Sequence, residues 1–590
     1  MEWQGWVTVA LTLGSLILLV VTRIGPHLVM MAVLTVLSGL GILTASEALA
    51  GFSNSGLLTV AAMFIVAAGV HQSGGVDLLV NKLLRHPQTV RSAISRILLP
   101  VIICSGFLNN TPLVATMIPA INAWARKIKI PASKLMIPLS YAAILGGTLT
   151  LIGTSTNLVV NGQYQSLTGE EGFSLFSIAA VGLPVAIAGG LYIWLFFPRW
   201  LPDRSDQRAF ENLREFTLEV TVAPNGPLVG KTVARAGLRH LERIYLVEIE
   251  RNGSIVTAVS SEETLQGNDR LIFAGDTQAI SDLLRINGIV ASTENGAAEH
   301  FTRYRNERRL VEAVVSPHCA AVGQAIRDAR FRNRYGAAVL AVARGGERVT
   351  GNLGTIRLEA GDTLLLETGP TFVSRQRFTK DFLLINDLNE VAPRHEKAYL
   401  SWAILLGMVA LASLDLLSML NAALIGAGLM LLTRCCSVNQ AERSLDLTVI
   451  VTIAASFALG SALAKTGVAD LMAGNIVSLS LGQAWLMLVL VYFVVSLLTE
   501  VITNNAAAII MLPIVLDMTE KANLNNEPFV FAIMMAASAS FATPLGYQTN
   551  LMVYGPGGYR FNDFLKVGVP MNLFVGAVTL TVLLLGWPLR

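Results

Sequence analysis

Residues 499–513 read TEVITNNAAAIIMLP, and residues 105–119 read SGFLNNTPLVATMIP. Each stretch places adjacent asparagines and hydroxyl residues inside an apolar run, and each then passes through small and apolar residues to a proline. Asparagine side chains are costly in lipid unless protein, water or an ion satisfies their amide groups. Because the pattern occurs twice in one chain, it predicts two equivalent structural elements, here called the first tip (105–111) and the second tip (499–505).

The composition indicates a polytopic membrane protein. The chain of 590 residues is 53% hydrophobic and 14% charged, whereas soluble domains carry about 25% charged residues. The net charge of +3 gives no argument for nucleic acid, so membrane lipid is the expected partner. The four cysteines form no CxxC pair, so neither a disulfide framework nor a zinc site is indicated.

Apolar runs of about 20 residues, enough to cross a bilayer, fall into two blocks, 1–202 and 397–590, on either side of a polar insert. The predicted spans are 5–22, 27–44, 55–73, 135–161 and 173–198 in the first block, and 398–415, 418–433, 447–465, 527–554 and 564–588 in the second. Interrupted apolar regions at 96–125 and 484–516 contain the two tips. The stretch 5–22 lacks a basic region before it and is interpreted as a retained span rather than a signal peptide.

The placement of basic residues predicts the orientation of the two blocks. Lysines and arginines flank 96–125 and the insert, while the loop 162–172 carries neither, so this loop is expected outside and the insert, 203–396, in the cytoplasm. Counting crossings from the insert then places 466–525 largely outside, although Lys465 and Lys521 run against the rule. The second tip would therefore be entered from the opposite side to the first, which is the signature of inverted repeats in a plasma (inner) membrane transporter.

The insert itself contains a repeat. Pro224 and Gly230 in the first unit correspond to Pro317 and Gly323 in the second, with the same offset of 93 residues. Alternating apolar and polar residues predict strands around one helical stretch, an α+β module, in each of 203–300 and 301–396. These modules resemble TrkA-C (RCK-C) domains, which implies a regulatory role, dimerisation and a small nucleotide-type ligand such as cyclic di-AMP.

A second pair of motifs follows the tips. Residues 150–162 read TLIGTSTNLVVNG and residues 543–555 read TPLGYQTNLMVYG, with seven of thirteen positions identical. Gly153 lies 43 residues after Asn110, and Gly546 lies 42 residues after Asn504. Glycine, threonine and asparagine in mid-span break a transmembrane helix, so 135–161 and 527–554 are predicted broken helices, while 96–125 and 484–516 are predicted re-entrant hairpins.

These residue types fit the binding of a cation and an anion. Hydroxyl groups, amide oxygens and free carbonyl oxygens are ligands for a hard cation such as Na⁺, and helix N-termini direct N–H groups at an anion. Each half would supply one tip and one broken helix, with the anion between the halves. The alternative is that the same small polar residues serve helix packing alone. The single acid Glu500 fits either a proton relay or a structural contact.

Over both membrane blocks, the chain resembles the divalent anion:sodium symporter (DASS) family of the ion transporter superfamily. Each tip is followed by a break that runs from a glycine to an asparagine, G-T-x-x-N at Gly153 and G-Y-x-x-N at Gly546. The resemblance implies a homodimer that works by an elevator movement. It implies sodium ligands at Ser105, Asn109, Asn110 and Gly153 and at Thr499, Thr503, Asn504 and Gly546. It implies anion contacts from Asn109, Asn110, Thr111, Thr503, Asn504 and Asn505, with Thr154, Thr156, Gln548 and Thr549 nearby.

The chain departs from this family where the substrate would bind. Where the family has Ser-Asn-Thr in its tips, this chain has Asn-Asn-Thr from Asn109 and Thr-Asn-Asn from Thr503. Where the family has Pro-Pro in its breaks, this chain has Ser155–Thr156 and Gln548–Thr549. Sulfate is therefore favoured, with a dicarboxylate as the alternative. A proton-coupled or antiporting permease of the same superfamily, a ligand-gated channel and a membrane sensor remain alternatives. An enzyme is not expected, because the sequence shows no phosphate loop, metal cluster or nucleophile–base pair.

Overall fold

The computed structural model describes residues 2–21, 24–76, 87, 89–204, 217–238, 244–251, 254–257, 259, 262–275, 286–291, 309–317, 319–344, 347–349, 353–369, 372–376, 381–387, 397–414, 416–544 and 546–590. The chain divides into two compact units. One unit combines Met1–Asp203 with Pro393–Arg590, and the other is Arg204–Ala392.

The described elements of the first membrane segment are helices joined by short connections. Its helices are α1 (Trp3–Val21), α2 (Pro26–Gly39), α3 (Ala45–Leu49), α4 (Ser55–Gln72), α5 (Val90–Ser105), α6 (Asn110–Ile128), α7 (Met136–Gly147), α8 (Ser155–Thr168) and α9 (Ala179–Trp200). The predicted interrupted region is the pair α5 and α6, whose connection is the first tip. The predicted broken helix is the pair α7 and α8, and the first break is defined as residues 148–157.

The second membrane segment shows the same succession. Its helices are α12 (Ala398–Ser413), α13 (Met419–Leu432), α14 (Val438–Ser444), α15 (Leu447–Lys465), α16 (Val468–Leu479), α17 (Ala484–Val501), α18 (Asn504–Lys521), α19 (Asn526–Ser538), α20 (Gln548–Tyr554) and α21 (Phe561–Gly586). Helices α17 and α18 carry the second tip, and the second break is defined as residues 539–550. Helix α16 was not predicted from the sequence. It falls within 466–525, the region that was expected largely outside.

The helix lengths correct the predicted spans. Among the residues that the structure describes, four helical stretches are long and apolar enough to cross a bilayer: Ala45–Gln72, Ala179–Trp200, Leu447–Lys465 and Phe561–Gly586. The predicted spans 27–44 and 418–433 are instead helices of 14 residues each. Such a helix is about 21 Å long, shorter than the hydrocarbon core of about 30 Å. A residue with left-handed backbone lies two positions beyond each helix, Gly41 at φ 70° and Arg434 at φ 54°. The next helix then begins at a capping hydroxyl, that of Thr44 for α3 and that of Ser437 for α14.

The two segments of the membrane unit pack across one another. Helix α4 of the first segment packs on α13 of the second, and α2 packs on α15 in the corresponding way. Helix α8 packs against α18, and α20 packs against α6 and α7. Within each segment the first helix of the tip packs against the helix before the break, α5 on α7 and α17 on α19. Each tip is therefore surrounded by both breaks, its own and that of the other segment.

The second unit contains two antiparallel sheets of five strands among its described residues. The strands are β1 (Thr217–Val222), β2 (Ile244–Arg251), β3 (Ser254–Thr257), β4 (Arg270–Gly275), β5 (Ile289–Ala291), β6 (Arg309–Val315), β7 (Ala337–Arg344), β8 (Glu347–Arg348), β9 (Thr363–Thr368) and β10 (Phe382–Asp387), with short helices α10 (Phe331–Tyr335) and α11 (Phe372–Gln376) in the second half. The strand orders β3-β2-β4-β1-β5 and β8-β7-β9-β6-β10 are the same topology. Each sheet also has an irregular register at the matching position, between Leu246 and Glu248 and between Val339 and Ala341.

An arginine at the end of β2 and of β7 makes matching ion pairs in the two sheets. Arg251 binds both carboxylate oxygens of the buried Asp269, each at 2.9 Å, and its hydrogen bonds to this side chain raise the pKa of the guanidinium. Arg344 binds Asp362 in the same way, each contact at 2.8 Å. Since both pairs also differ by 93 residues, the sequence repeat of the insert corresponds to a repeat of strands and of side-chain contacts.

Candidate functional site

The first tip gathers three oxygen atoms at the end of α5. Ser105 Oγ hydrogen-bonds to Asn110 Oδ1 and lies 2.7 Å from the carbonyl oxygen of Ala143 in α7. Ser105 and Asn110 are both buried. A hydroxyl carries one proton and can satisfy only one of these two acceptors. A hydroxyl, an amide oxygen and a carbonyl oxygen thus converge where the sequence predicted the first cation site.

The second tip repeats this arrangement. Thr499 Oγ1 lies 2.9 Å from Asn504 Oδ1 and 3.0 Å from the carbonyl oxygen of Ala537 in α19. The hydroxyl precedes its asparagine by five positions in both tips, and each carbonyl lies 38 residues beyond its hydroxyl. Two sites of the same composition therefore lie in the two segments.

An asparagine closes each break in the same manner. Asn157 Nδ2 donates to the carbonyl oxygens of Gly147 and Thr150, at 3.4 and 3.1 Å. Asn550 Nδ2 donates to those of Ser540 and Thr543, at 3.0 and 3.1 Å. The freed carbonyl groups at the ends of α7 and α19 are thereby partly satisfied within the protein, as irregular backbone at membrane depth requires. The Oδ1 atom of Asn157 is buried and has no hydrogen-bond partner among the residues that the structure describes.

Glycines allow the first break to approach the first tip. A Cβ on Gly147 would lie 2.8 Å from Asn110 Nδ2, and a Cβ on Gly153 would lie 2.6 Å from the carbonyl oxygen of Gly147. Gly147 therefore lies between Asn110 and Gly153, two of the predicted ligands of the first cation site. In the second segment a Cβ on Gly546 would meet Ser540 Oγ at 2.2 Å and Glu500 Oε2 at 2.8 Å. A Cβ on Gly147 would therefore press against the first tip, one on Gly153 against the end of α7, and one on Gly546 against Glu500 of the second tip.

Each tip also contacts the break of the other segment. Thr111 Oγ1 of the first tip donates to Gln548 Oε1 at the second break, at 3.0 Å. Thr156 Oγ1 of the first break donates to Asn505 Oδ1 of the second tip, also at 3.0 Å. The last residue of each tip thus meets the opposite break, and the four motifs form one connected constellation between the segments.

The two halves differ at Glu500. In the first half Thr150 Oγ1 donates to the carbonyl oxygen of Gly106, the residue at the matching tip position. In the second half Thr543 Oγ1 donates to Glu500 Oε2 at 2.9 Å. Glu500 Oε1 accepts from the backbone N–H of Ala542 and from Asn572 Nδ2, at 3.2 and 2.9 Å. The carboxylate therefore accepts two hydrogen bonds from the second break and one from α21, which favours a structural role of this acid over the proton relay.

The remaining predicted residues are placed less uniformly. Asn109 Oδ1 accepts from the backbone N–H of Thr111 at 3.3 Å, and Thr503 is exposed at the start of α18 without a capping hydrogen bond. Thr549 is fully buried and lies 2.8 Å from Ser140 Oγ in α7, a packing contact. Its counterpart Thr156 faces the second tip instead.

Sequence reasoning missed two side chains that complete the constellation. Tyr547, directly before Gln548, accepts a hydrogen bond of 2.6 Å from Asn110 Nδ2. Asn572 is an amide within the apolar helix α21 and supports Glu500. A lone amide in an apolar span was the available signal for Asn572, and for Tyr547 it was the mismatch with Thr154 in the aligned break motifs.

Comparison with known proteins identifies the family of the chain. A family model, CitMHS, described as a citrate transporter, matches residues 16–520 and, in a second match, residues 410–588. The chain belongs to the CitMHS family. It is 35% identical over 558 aligned positions to a Chlamydomonas reinhardtii protein named "Putative sulfur deprivation response regulator", covering 92% of this chain and 95% of the relative. An uncharacterized transporter of Synechocystis is 33% identical over 597 aligned positions, 98% of this chain and 96% of that protein.

A third relative, sodium/sulfate cotransporter 2 of Chlamydomonas reinhardtii, is 28% identical over 783 aligned positions, 97% of this chain and 88% of the relative. As a member of the CitMHS family, the chain is a membrane transporter and not an enzyme, as the sequence predicted. The comparisons support the resemblance to sodium-coupled anion transporters at the level of the family. The TrkA-C assignment of the insert and the identity of every site residue stay predictions.

Proposed function

We propose that this CitMHS-family protein is a Na⁺-coupled symporter of a divalent oxyanion, with sulfate favoured over a dicarboxylate. The observation that carries the proposal is the paired constellation of tips and breaks, in which Ser105–Asn110 and Thr499–Asn504 repeat one arrangement of oxygens. Relatives named as sodium/sulfate cotransporters along nearly the whole chain support both the ion and the anion.

Each tip offers a Na⁺ ion a hydroxyl, an amide oxygen and a backbone carbonyl. Ser105 with Asn110 and Ala143, and Thr499 with Asn504 and Ala537, would hold one ion each. A cation among the three oxygens would satisfy both acceptors that compete for the single hydroxyl proton. Hard oxygen donors without a cysteine or histidine suit an alkali cation rather than a transition metal.

The anion would lie between the tips, where Thr111, Gln548, Thr156 and Asn505 meet. Three helices of 14 residues or more begin beside this point: α6, α8 and α18. Their N-termini carry partial positive charge and free N–H groups, so an anion is stabilised there without an arginine or lysine. Bound Na⁺ ions would offset the remaining negative charge, which couples the two substrates.

The matched helix order and the crossed packing of the two segments support an inverted repeat. In such a fold the tips and breaks move as one body relative to the other helices, so we include an elevator movement within a homodimer in the plasma membrane. The paired sheets of the insert, placed in the cytoplasm by the charge pattern, would act as a TrkA-C regulatory module for a nucleotide-type ligand.

Uptake by proteoliposomes tests the proposal. Purified wild-type protein should accumulate radiolabelled sulfate under an inward Na⁺ gradient and not under K⁺. Asn110→Ala and Asn504→Ala should each lower this uptake at least about tenfold, because each removes a cation ligand. Asn421→Ala, at an exposed position near the start of α13, is the matched control and should transport normally. Undiminished uptake by both tip variants would refute the site.

A proton-coupled permease is the second candidate, because Glu500 lies beside Gly546 at the second break. It predicts uptake driven by a pH gradient with no requirement for Na⁺. The same liposomes distinguish the two mechanisms when the Na⁺ and pH gradients are imposed separately.

A further inference from the structure

Tyr547 is the largest departure from symmetry in the candidate site. It occupies the position directly after Gly546, and the matching residue after Gly153 is Thr154. The first half therefore carries a short hydroxyl side chain where the second half carries a phenol ring. Since the surrounding contacts repeat between the halves, the ring removes space from one side only.

The Tyr547 hydroxyl reaches from the second break to the first half. Asn110 Nδ2 donates to it at 2.6 Å. Asn110 Oδ1 is already bonded to Ser105, so both polar ends of the Asn110 amide are engaged. The Tyr547 side chain therefore lies at the Asn110 amide, where the sequence alone predicted a direct contact between Asn110 and the anion.

The phenol oxygen still has a proton to donate. A tyrosine hydroxyl can accept two hydrogen bonds and donate one. Because Asn110 donates to the phenol oxygen, the O–H proton of Tyr547 is directed elsewhere and is available to an anionic oxygen. A hydrogen bond to an ionised acceptor is shorter and stronger than one between neutral groups. Gln548, the next residue, is exposed and contacts Thr111 through its Oε1 atom.

We infer that Tyr547 determines substrate size: its ring closes one side of the anion site, and its hydroxyl binds a compact tetrahedral divalent oxyanion. A dicarboxylate places its two charges at the ends of a carbon chain and needs room at both halves, which the ring denies it. Exclusion by a bulky group is an effective source of specificity. This inference rests on the proposed anion symport and adds the residue that selects the class of anion.

Two substitutions separate the size of Tyr547 from its hydroxyl. Tyr547→Thr gives the second break the same residue type as the first, and Tyr547→Phe keeps the ring but removes the donor. Na⁺-driven uptake of radiolabelled sulfate and of radiolabelled succinate is measured in proteoliposomes for each variant. Tyr192→Phe is the matched control, because Tyr192 stacks on Phe574 between α9 and α21, outside the constellation.

We expect Tyr547→Thr to raise succinate uptake relative to sulfate uptake by roughly tenfold or more. Tyr547→Phe should raise the KM for sulfate roughly tenfold while succinate stays excluded, because only the charge-assisted hydrogen bond is lost. Tyr192→Phe should match the wild type in both respects.

The outcomes separate this inference from the proposed function. Absence of Na⁺-driven uptake of either anion by the folded wild-type protein would refute the symport itself. Sulfate uptake with an unchanged preference in Tyr547→Thr would overturn the inference alone, as would efficient succinate uptake by the wild type. If Tyr547→Thr fails to fold, Tyr547→Phe decides: an unchanged KM for sulfate would contradict the proposed donor.

Discussion

Thr111 donates its hydroxyl proton to Gln548 Oε1 at 3.0 Å, although 437 residues separate the two positions in sequence. The contact joins the first tip to the second break, and Thr156 with Asn505 makes the corresponding contact from the other direction. Because each contact crosses between the segments, a change in the geometry of one tip acts on the break of the other segment. In the proposed symport, these contacts would couple the two Na⁺ ions to the anion.

The Thr111–Gln548 contact predicts energetic coupling in transport. In a double-mutant cycle on the KM for the anion, Thr111→Val and Gln548→Ala should show an interaction of about 0.5–1.5 kcal/mol, the net value of one hydrogen bond. Thr116→Val is the control, because its hydroxyl bonds to the carbonyl of Pro112 within α6. Strict additivity of Thr111→Val with Gln548→Ala would show that the contact does not form during transport.

The proposed second cation site, at Thr499, predicts how uptake depends on the Na⁺ concentration. Thr499→Val removes one of three oxygens and should raise the Na⁺ concentration for half-maximal uptake about tenfold. Thr499→Ser should behave like the wild type, because the first site uses a serine, Ser105, at the matching position. Thr581→Val, whose hydroxyl bonds within α21 to Ala577, is the control. An equal effect of the valine and serine variants would argue against a ligand role for the hydroxyl.

The role of Glu500 can be tested by separating its shape from its charge. Glu500→Ala should lower uptake about a hundredfold, because the hydrogen-bond donors of Ala542, Thr543 and Asn572 each lose an acceptor. Glu500→Gln keeps an oxygen for Asn572 and should retain measurable Na⁺-driven uptake. If the glutamine variant is as inactive as the alanine variant while its Na⁺ binding is intact, the carboxylate carries more than a structural role.

The sequence was sufficient to predict the tips and the breaks, for a physical reason. Asn109, Asn504 and their neighbours are expensive in an apolar segment, and glycines such as Gly153 cannot continue a helix there without cost. Such local conflicts between residue type and surroundings can be recognised from the sequence alone. The repeat of the insert was likewise visible, because strands with the same alternation and turns recur at a fixed offset.

The contacts between the segments could not be predicted in this way. Which residue faces Thr111 depends on how α6 packs beside α20, and sequence distance gives no information about that. Tyr547 and Thr549 are only two positions apart, yet one reaches the first tip and the other bonds to Ser140. Helix α16 was missed for another reason: the whole helix has 12 residues, which is too short for a membrane span.

The paired arginines of the insert give a final prediction, on stability. Asp362 is buried and binds Arg344 through both oxygens, and it also accepts from the backbone N–H of Glu359 at 2.8 Å. Asp362→Ala should destabilise the second sheet by about 2 kcal/mol, less than a fully buried pair because Arg344 is partly exposed. Limited proteolysis of the purified full chain should then cut faster between 309 and 387, while Na⁺-driven uptake persists because the tips are untouched.

The neighbouring pair Arg327–Asp328 supplies the control for this prediction. Both side chains are largely exposed, at 74% and 61%, so Asp328→Asn should change stability by less than about 0.5 kcal/mol. Equal rates of cleavage in Asp362→Ala and Asp328→Asn would mean that the bidentate pair does not hold the sheet. Loss of uptake in Asp362→Ala, with cleavage confined to the insert, would instead show that the folded sheet is needed for transport itself and not only for its regulation.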